Sequence, residues 1–172
     1  VGDPSAQNDN WYGYPTCFSV WGGDLFPDGN PTTGSSFIPE PNSTWSDATC
    51  QEKVTGPRLS IKAHSAPIDA KFDPDNANLY VTLHGSWNRD VPTGYKVVTV
   101  PFTKNAEGGF EPVAAADSQE GYNDILWDPQ EGCDNAKCFR PSGLSWDLDH
   151  TRLFIASDNS QEGELYILSK NA

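Results

Sequence analysis

Methionine is absent from this 172-residue sequence, basic residues are few, and no apolar run approaches the ~20 residues that a membrane-spanning helix needs. Neither an initiating methionine nor a basic-then-apolar leader is present, so the chain is expected to be mature, processed or excised. Against 11 Lys and Arg stand 24 Asp and Glu, a formal charge of −13. Such a field repels nucleic acid and anionic membranes at long range, and neither is an expected partner. A glycine-rich phosphate loop, a Ser-His-Asp order and His-x-x-x-His metal spacing are also missing. No run with helical periodicity exceeds two turns. Turn formers are plentiful, with Gly 15 and Pro 14, while 36% hydrophobic residues is too many for a disordered chain. These proportions exclude a helical bundle and leave an all-β domain, or part of one.

Cys17 and Cys50 flank a polar, proline- and glycine-rich stretch, and Cys133 and Cys138 lie close together. Four cysteines allow three pairings, of which the sequence-local one, Cys17–Cys50 with Cys133–Cys138, is the simplest. A zinc site would need a knuckle of two ligands at each end; Cys133 and Cys138 nearly fit that spacing, and Cys17 and Cys50 do not. Asn42-Ser43-Thr44 is a glycosylation acceptor sequence. An even cysteine count, this sequon and an acidic surface together favour an oxidising, extracellular location.

Residues 1–55 read mostly as loop, with aromatics scattered through Trp11, Tyr12, Tyr14, Phe18 and Trp21. Strand-like runs then follow at 68–72, 79–83, 95–102, 112–116, 143–146, 153–156 and 164–168. Two stretches repeat at a constant offset of 74: Pro67, Phe72, Asp73, Asp75 and Leu79 match Pro141, Trp146, Asp147, Asp149 and Leu153. Each copy reads strand, aromatic, Asp-x-Asp turn, strand, polar loop, strand. Repeated β-meanders of this kind are the signature of propeller blades. The division this suggests is a loop-rich, disulfide-stapled part of a preceding blade over 1–55 and a blade over 56–117. An insertion from about 105 to 138 would stretch the period, with the C-terminal blade completing 118–172. A β-sandwich with two similar hairpins is the alternative.

Alternation of strand direction puts residues 63–66, 84–89, 137–140 and 158–161 at one end of the meanders, and the Asp-x-Asp turns at the other. The first end collects His64, His84, Trp87, Arg89 and Arg140, a cationic cluster on an acidic chain. Guanidinium groups bind carboxylates or phosphates bidentately, and an indole gives a planar ring something to stack on. A flat polyanion suits that pairing. Each residue also has a structural reading: a solvated or ion-paired Arg89 or Arg140, a turn-capping His64, a buried Trp87 plugging the space between sheets. His150 is expected to be exposed and idle.

The strings AHSAPIDAKF from Ala63, LHGSWNR from Leu83, PTGYKV from Pro92 and RPSGL from Arg140 resemble the C-terminal half of quinoprotein sugar dehydrogenases. These are six-bladed propellers of the glucose/sorbosone dehydrogenase type that use pyrroloquinoline quinone (PQQ). DNWYGYPTC from Asp9 and DATCQEK from Asp47 are most similar to the fungal, secreted pyranose dehydrogenase branch. The resemblance implies that His84, Arg89 and Trp87 line a PQQ pocket, that Arg140 meets a PQQ carboxylate and that His64 borders the same pocket. It also implies that the catalytic histidine and the ligands of a calcium ion lie outside this chain, in the N-terminal half. The expected partners are a sugar, that missing half and an external electron acceptor such as a cytochrome domain. The isolated chain is expected to be inactive. A competing reading is a non-catalytic carbohydrate-binding propeller module that stacks sugars on Trp11, Tyr12, Tyr14 and Trp21.

Overall fold

A computed structural model describes residues 10–23, 26, 31–128, 138–159 and 163–169. The chain divides into two compact units, Val1–Lys62 with Ala114–Gly121, and Ala63–Val113 with Tyr122–Ala172.

The first unit is held by side chains more than by regular structure. Its sheet has two strands of two residues, β1 (Phe18–Ser19) and β2 (Ser36–Phe37), and its helix α1 (Asp47–Lys53) is seven residues long. Ser46 caps α1 by accepting the Thr49 N–H, and Asp47 in the first turn accepts the Ile38 N–H at 2.9 Å. The expected disulfide joins Cys17 to Cys50 across a sequence separation of 33. Around it pack Ile38, Trp11, Trp45 and Val54. Residues 114–121 belong here because Arg58 Nη1 donates to the Ala114 carbonyl at 2.6 Å. The carbonyl of Ala116 approaches Gly34 so closely that a β-carbon there would meet it at 2.9 Å.

The second unit is all β. One sheet has the path β3 (Pro67–Phe72), β4 (Asn78–Leu83), β5 (Lys96–Lys104), β6 (Phe110–Pro112), with β7 (Asn123–Trp127) also paired to β5. The other has β8 (Pro141–Trp146), β9 (Arg152–Asp158) and β10 (Gly163–Ser169) in order. All pairings are antiparallel, and β3 and β8 adjoin. Val97, Phe139, Leu144, Leu153 and Ile155 form the core between the sheets.

Two expectations change. The strand expected over 112–116 ends at Pro112, where the chain turns away and the Ser118 N–H closes on the Ala115 carbonyl. The stretch expected as an insertion contains β7, which places Leu126 opposite Val97 and ties Lys96 to Asp124 at 2.6 Å. Its apolar residues are there because β5 needs a partner, a demand that local composition does not show. Cys138 is buried and disulfide-bonded, whereas Cys133 lies outside the described residues. No described cysteine is free, which removes the zinc alternative.

The repeat survives at atomic detail. Asp73 Oδ1 accepts the N–H groups of Ala77 and Asn78, and Asp147 Oδ1 accepts those of Thr151 and Arg152. Asn76 and His150, 74 apart, occupy the same left-handed position in the two turns, with φ of 54° and 53°. His150 is exposed there. The copies are also bonded to each other. Trp146 Nε1 donates to the Phe72 carbonyl at 2.8 Å, and the Leu144 N–H donates to Asp69 Oδ2 at 2.8 Å.

Burial works to raise the Asp69 pKa, but the N–H groups of Leu144 and Ala70 and the Lys71 ammonium outweigh it and hold the carboxyl below its ordinary range. Asp147 is held well below that range, first by the Arg152 side chain. For a depressed carboxylate, the stabilisation is fully present above the unfolded value near 4 and is lost as pH falls through the folded one. In the full-length protein, Asp69→Asn should therefore lower the urea midpoint by more at pH 6 than at pH 3, where the unfolded carboxyl is already mostly protonated. An equal loss at both values would refute this role of the ionised group.

Candidate functional site

At the end of the second unit opposite the Asp turns, the loop from 84 to 95 folds onto residues 63–66. The N–H groups of His84 and Gly85 donate to the carbonyls of Ala66 and Ser65 at 2.9 and 3.0 Å, and that of Ser86 donates to Thr93 at 2.8 Å. Buried Ser86 returns a side-chain bond from the Thr93 N–H. Gly94, at φ 85°, lies against Gly85, and a β-carbon on Gly94 would meet Gly85 Cα at 2.7 Å. A side chain on Gly85 would strike the ring of Tyr95. Tyr95 itself has φ 57°, is buried, and donates its hydroxyl to the Ser86 carbonyl. Three of the five positive-φ non-glycine residues described, His64, Ala66 and Tyr95, cluster at this end. Such backbone costs about 1–3 kcal/mol each and persists where the surroundings hold it.

Arg140 enters from the start of β8. Its N–H donates to Ser157 Oγ at 2.9 Å and its carbonyl accepts the Asp158 N–H at 3.1 Å. The guanidinium lies over the Tyr95 ring at 5.9 Å. Its Nη2 is 2.9 Å from His84 Nδ1, and His84 Nε2 is 2.6 Å from Asp158 Oδ1. A guanidinium can only donate, so His84 Nδ1 accepts and the ring proton sits on Nε2, directed at the Asp158 carboxylate. The result is an ordered row of cation, imidazole and anion. The His84 side chain is 18% exposed and that of Asp158 is 64% exposed.

A family model described as TrAA12-like matches residues 1–171. The chain belongs to the TrAA12-like family. The PQQ-dependent pyranose dehydrogenase of Coprinopsis cinerea is 41% identical over 176 residues, covering 99% of this chain and 24% of that protein. The PQQ-dependent sugar dehydrogenase of Hypocrea jecorina is 35% identical over 175 residues, covering all of this chain and 37% of that protein. The holo form of the PQQ domain of pyranose dehydrogenase from Coprinopsis cinerea superposes with a TM-score of 0.87 at 40% identity, over 98% of this chain and 42% of that one. A calcium structure of the AA12 family from Trichoderma reesei gives a TM-score of 0.80 at 35% identity, over 92% and 38%. The TrAA12-like chain thus spans about a quarter to two fifths of the length of these relatives.

In the TrAA12-like unit, the five residues expected at this end fall into different settings. His84 and Arg140, 56 positions apart, touch. His64 lies in the adjoining loop, its Nδ1 3.0 Å from Asn88 Oδ1, and Arg89 is half-buried in the same loop as Asn88. Trp87 is 87% exposed, so it is not the plug between sheets that one structural reading expected. Tyr95 escaped the sequence reading, although Gly94 before it was a signal that the backbone takes an unusual course there. Asp158 was placed at the correct end without a role.

Gly85 is constrained twice over, because its φ of 110° disfavours any side chain and a β-carbon there would collide with the Tyr95 ring. Gly85→Ala should destabilise the protein by about 2 kcal/mol or more through backbone strain and overpacking. It should also lift Tyr95 from under Arg140. A melt within error of wild type would contradict that packing.

Proposed function

We propose that this chain is the C-terminal part of a secreted, PQQ-dependent sugar dehydrogenase that oxidises the anomeric carbon of a pyranose by hydride transfer. Arg140 carries the proposal: it is a guanidinium stacked on Tyr95 and braced by His84, at the end of the sheets where the loops converge. The donor set fits a planar polycarboxylate. Arg140 and Arg89 supply fork-shaped cations, and the open face of Trp87 supplies a plane for stacking. His64 borders the group from the neighbouring loop. When bound, PQQ supplies an acceptor for two electrons. The part played by this chain is to hold the carboxylates and fix the plane of the ring, while the base acting on the sugar hydroxyl comes from the N-terminal portion. Calcium, on this reading, is held by the same missing portion.

The fragment reading draws support from the strands. The sheet of β3 to β7 has five strands, while among the described residues its copy at offset 74 has β8, β9 and β10, with Leu165 and Ile167 of β10 exposed. In the proposed whole, these are adjacent blades of a six-bladed propeller, and the first unit elaborates the preceding blade. An external acceptor, such as a cytochrome domain, takes the electrons onward. The carbohydrate-module reading keeps Tyr12 and Tyr14, which are exposed, but Trp11 packs on Trp45 at 5.5 Å and the Trp21 indole nitrogen is buried.

The full-length apoprotein, titrated with PQQ and followed by quinone absorbance, should bind about tenfold or more weakly after Arg140→Ala, the loss typical of a charge-assisted hydrogen bond. The isolated 172-residue chain, given PQQ, calcium and a panel of aldoses, should reduce no dye, because a positioned general base is worth about 10²–10⁴-fold. Unchanged affinity in the variant, or sustained turnover by the fragment, would defeat the reading.

Asn42 belongs to the same secreted protein and is proposed as its glycan carrier. It is exposed, and its Oδ1 accepts the N–H groups of Thr44 and Trp45 at 2.9 and 3.0 Å, so the side-chain oxygen is engaged and the amide nitrogen is the atom to be modified. Native fungal protein should give a glycopeptide at Asn42. An unmodified peptide at full occupancy would exclude it.

A further inference from the structure

We propose that Asp158 is a positioning residue: acting through His84, it holds the Arg140 guanidinium in place for an anionic ligand. The inference rests on the PQQ reading above and adds to it a residue that never needs to touch the ligand. Its ground is the direction of the proton in the His84 ring. A neutral imidazole can carry its proton on either nitrogen. With the proton on Nδ1, two N–H groups would face each other across the 2.9 Å contact with Arg140, and the contact would open. With the proton on Nε2, the lone pair of Nδ1 accepts from Arg140. The Asp158 carboxylate, 2.6 Å from Nε2, selects the second form because it can only accept. Asp158 is in turn fixed by the backbone, since its N–H is bonded to the carbonyl of Arg140 itself. The row closes on itself: Arg140 main chain to Asp158, Asp158 side chain to His84, His84 to the Arg140 side chain.

The fold supplies this arrangement through its repeat. His84 and Asp158 are 74 positions apart, the same place in successive copies. So are the main-chain bonds that set them, His84 N–H to the Ala66 carbonyl and Asp158 N–H to the Arg140 carbonyl. One copy contributes the imidazole at this position and the other the carboxylate. At the position preceding the first strand of each sheet, one copy has Ala66 and the other Arg140.

The test is a double-mutant cycle on the full-length apoprotein, read as PQQ affinity by absorbance titration, with thermal melts run alongside. Asparagine at position 84 places an amide oxygen where Nδ1 lies and accepts from Arg140 whatever stands at 158. Asp158→Ala should weaken PQQ binding about tenfold in the wild-type background, as loss of a partner that orients a ligand-binding side chain does at metal sites. In the His84→Asn background the same change should cost less than about threefold, a non-additivity expected only of coupled residues. Asp158→Asn, which retains an acceptor oxygen, should bind within about threefold of wild type. In protein labelled with ¹⁵N-histidine, the resonances assigned to His84 by their loss in His84→Asn should show one pyridine-type and one pyrrole-type nitrogen, and should converge in Asp158→Ala. Equal losses in both backgrounds, tighter binding without the carboxylate, or unaltered ring nitrogens would overturn the inference while leaving the PQQ reading in place. Full affinity in Arg140→Ala would overturn both.

Discussion

The second unit depends on the registration of one sheet against its copy. Two hydrogen bonds fix it: the Leu144 N–H to Asp69 Oδ2, and Trp146 Nε1 to the Phe72 carbonyl. Neither belongs to a sheet ladder. Each crosses between β3 and β8, next to the core of Leu144, Leu153 and Ile155, and the bond to Asp69 is part-buried. Once the strands are matched at this end by Trp146 and Phe72, their opposite ends are matched too, because the first two strands of each meander keep the constant offset of 74. His84 then arrives at Asp158 with no local sequence signal directing it there. A slip of one residue would reverse every side chain of a strand and separate the pair.

This dependence explains which parts of the structure were legible. The Asp-x-Asp turns could be read because their chemistry is local: one carboxylate satisfies two following N–H groups, and the residue at positive φ is small or polar in Asn76 and tolerated in His150. Repetition of that local chemistry gave the offset, and the offset gave the meander. The strand Asn123–Trp127 was not legible, since Ile125 and Leu126 earn their place by packing against a core assembled from other segments. Strand alternation sufficed to place His84 and Arg140 at one end. It could not supply the contact between them, which needs the two sheets to face each other.

Tyr95 illustrates a second kind of illegibility. Its ring serves the site only because its backbone is left-handed and Gly85, itself packed against Gly94, leaves room beside it. Read as part of a strand, it should alternate with its neighbours. In the structure it precedes β5, buries its ring against Gly85 and presents a face to Arg140. A positive φ on a bulky residue is costly, and here the Gly85–Gly94 approach and the hydroxyl bond to Ser86 offset it. The unusual backbone and the aromatic contact to the cation are therefore one feature.

Under the PQQ reading, an acidic protein must overcome its own field to bind a polyanion. At physiological ionic strength screening confines that field to about 8 Å, so most of the 24 acidic side chains act on a ligand only weakly. Contacts at hydrogen-bond range are not screened in this way, and there the order of groups matters more than the net charge. Had Asp158 met the Arg140 guanidinium directly at Nη2, its negative charge would lie against the cation. The imidazole between Nη2 and the carboxylate keeps that negative charge one ring further away, while still converting it into a directional hold on Arg140. Coulomb energy falls with distance as a hydrogen bond relayed through a neutral ring need not. The row of Arg140, His84 and Asp158 can thus orient a cation with a carboxylate that is held one ring away from it.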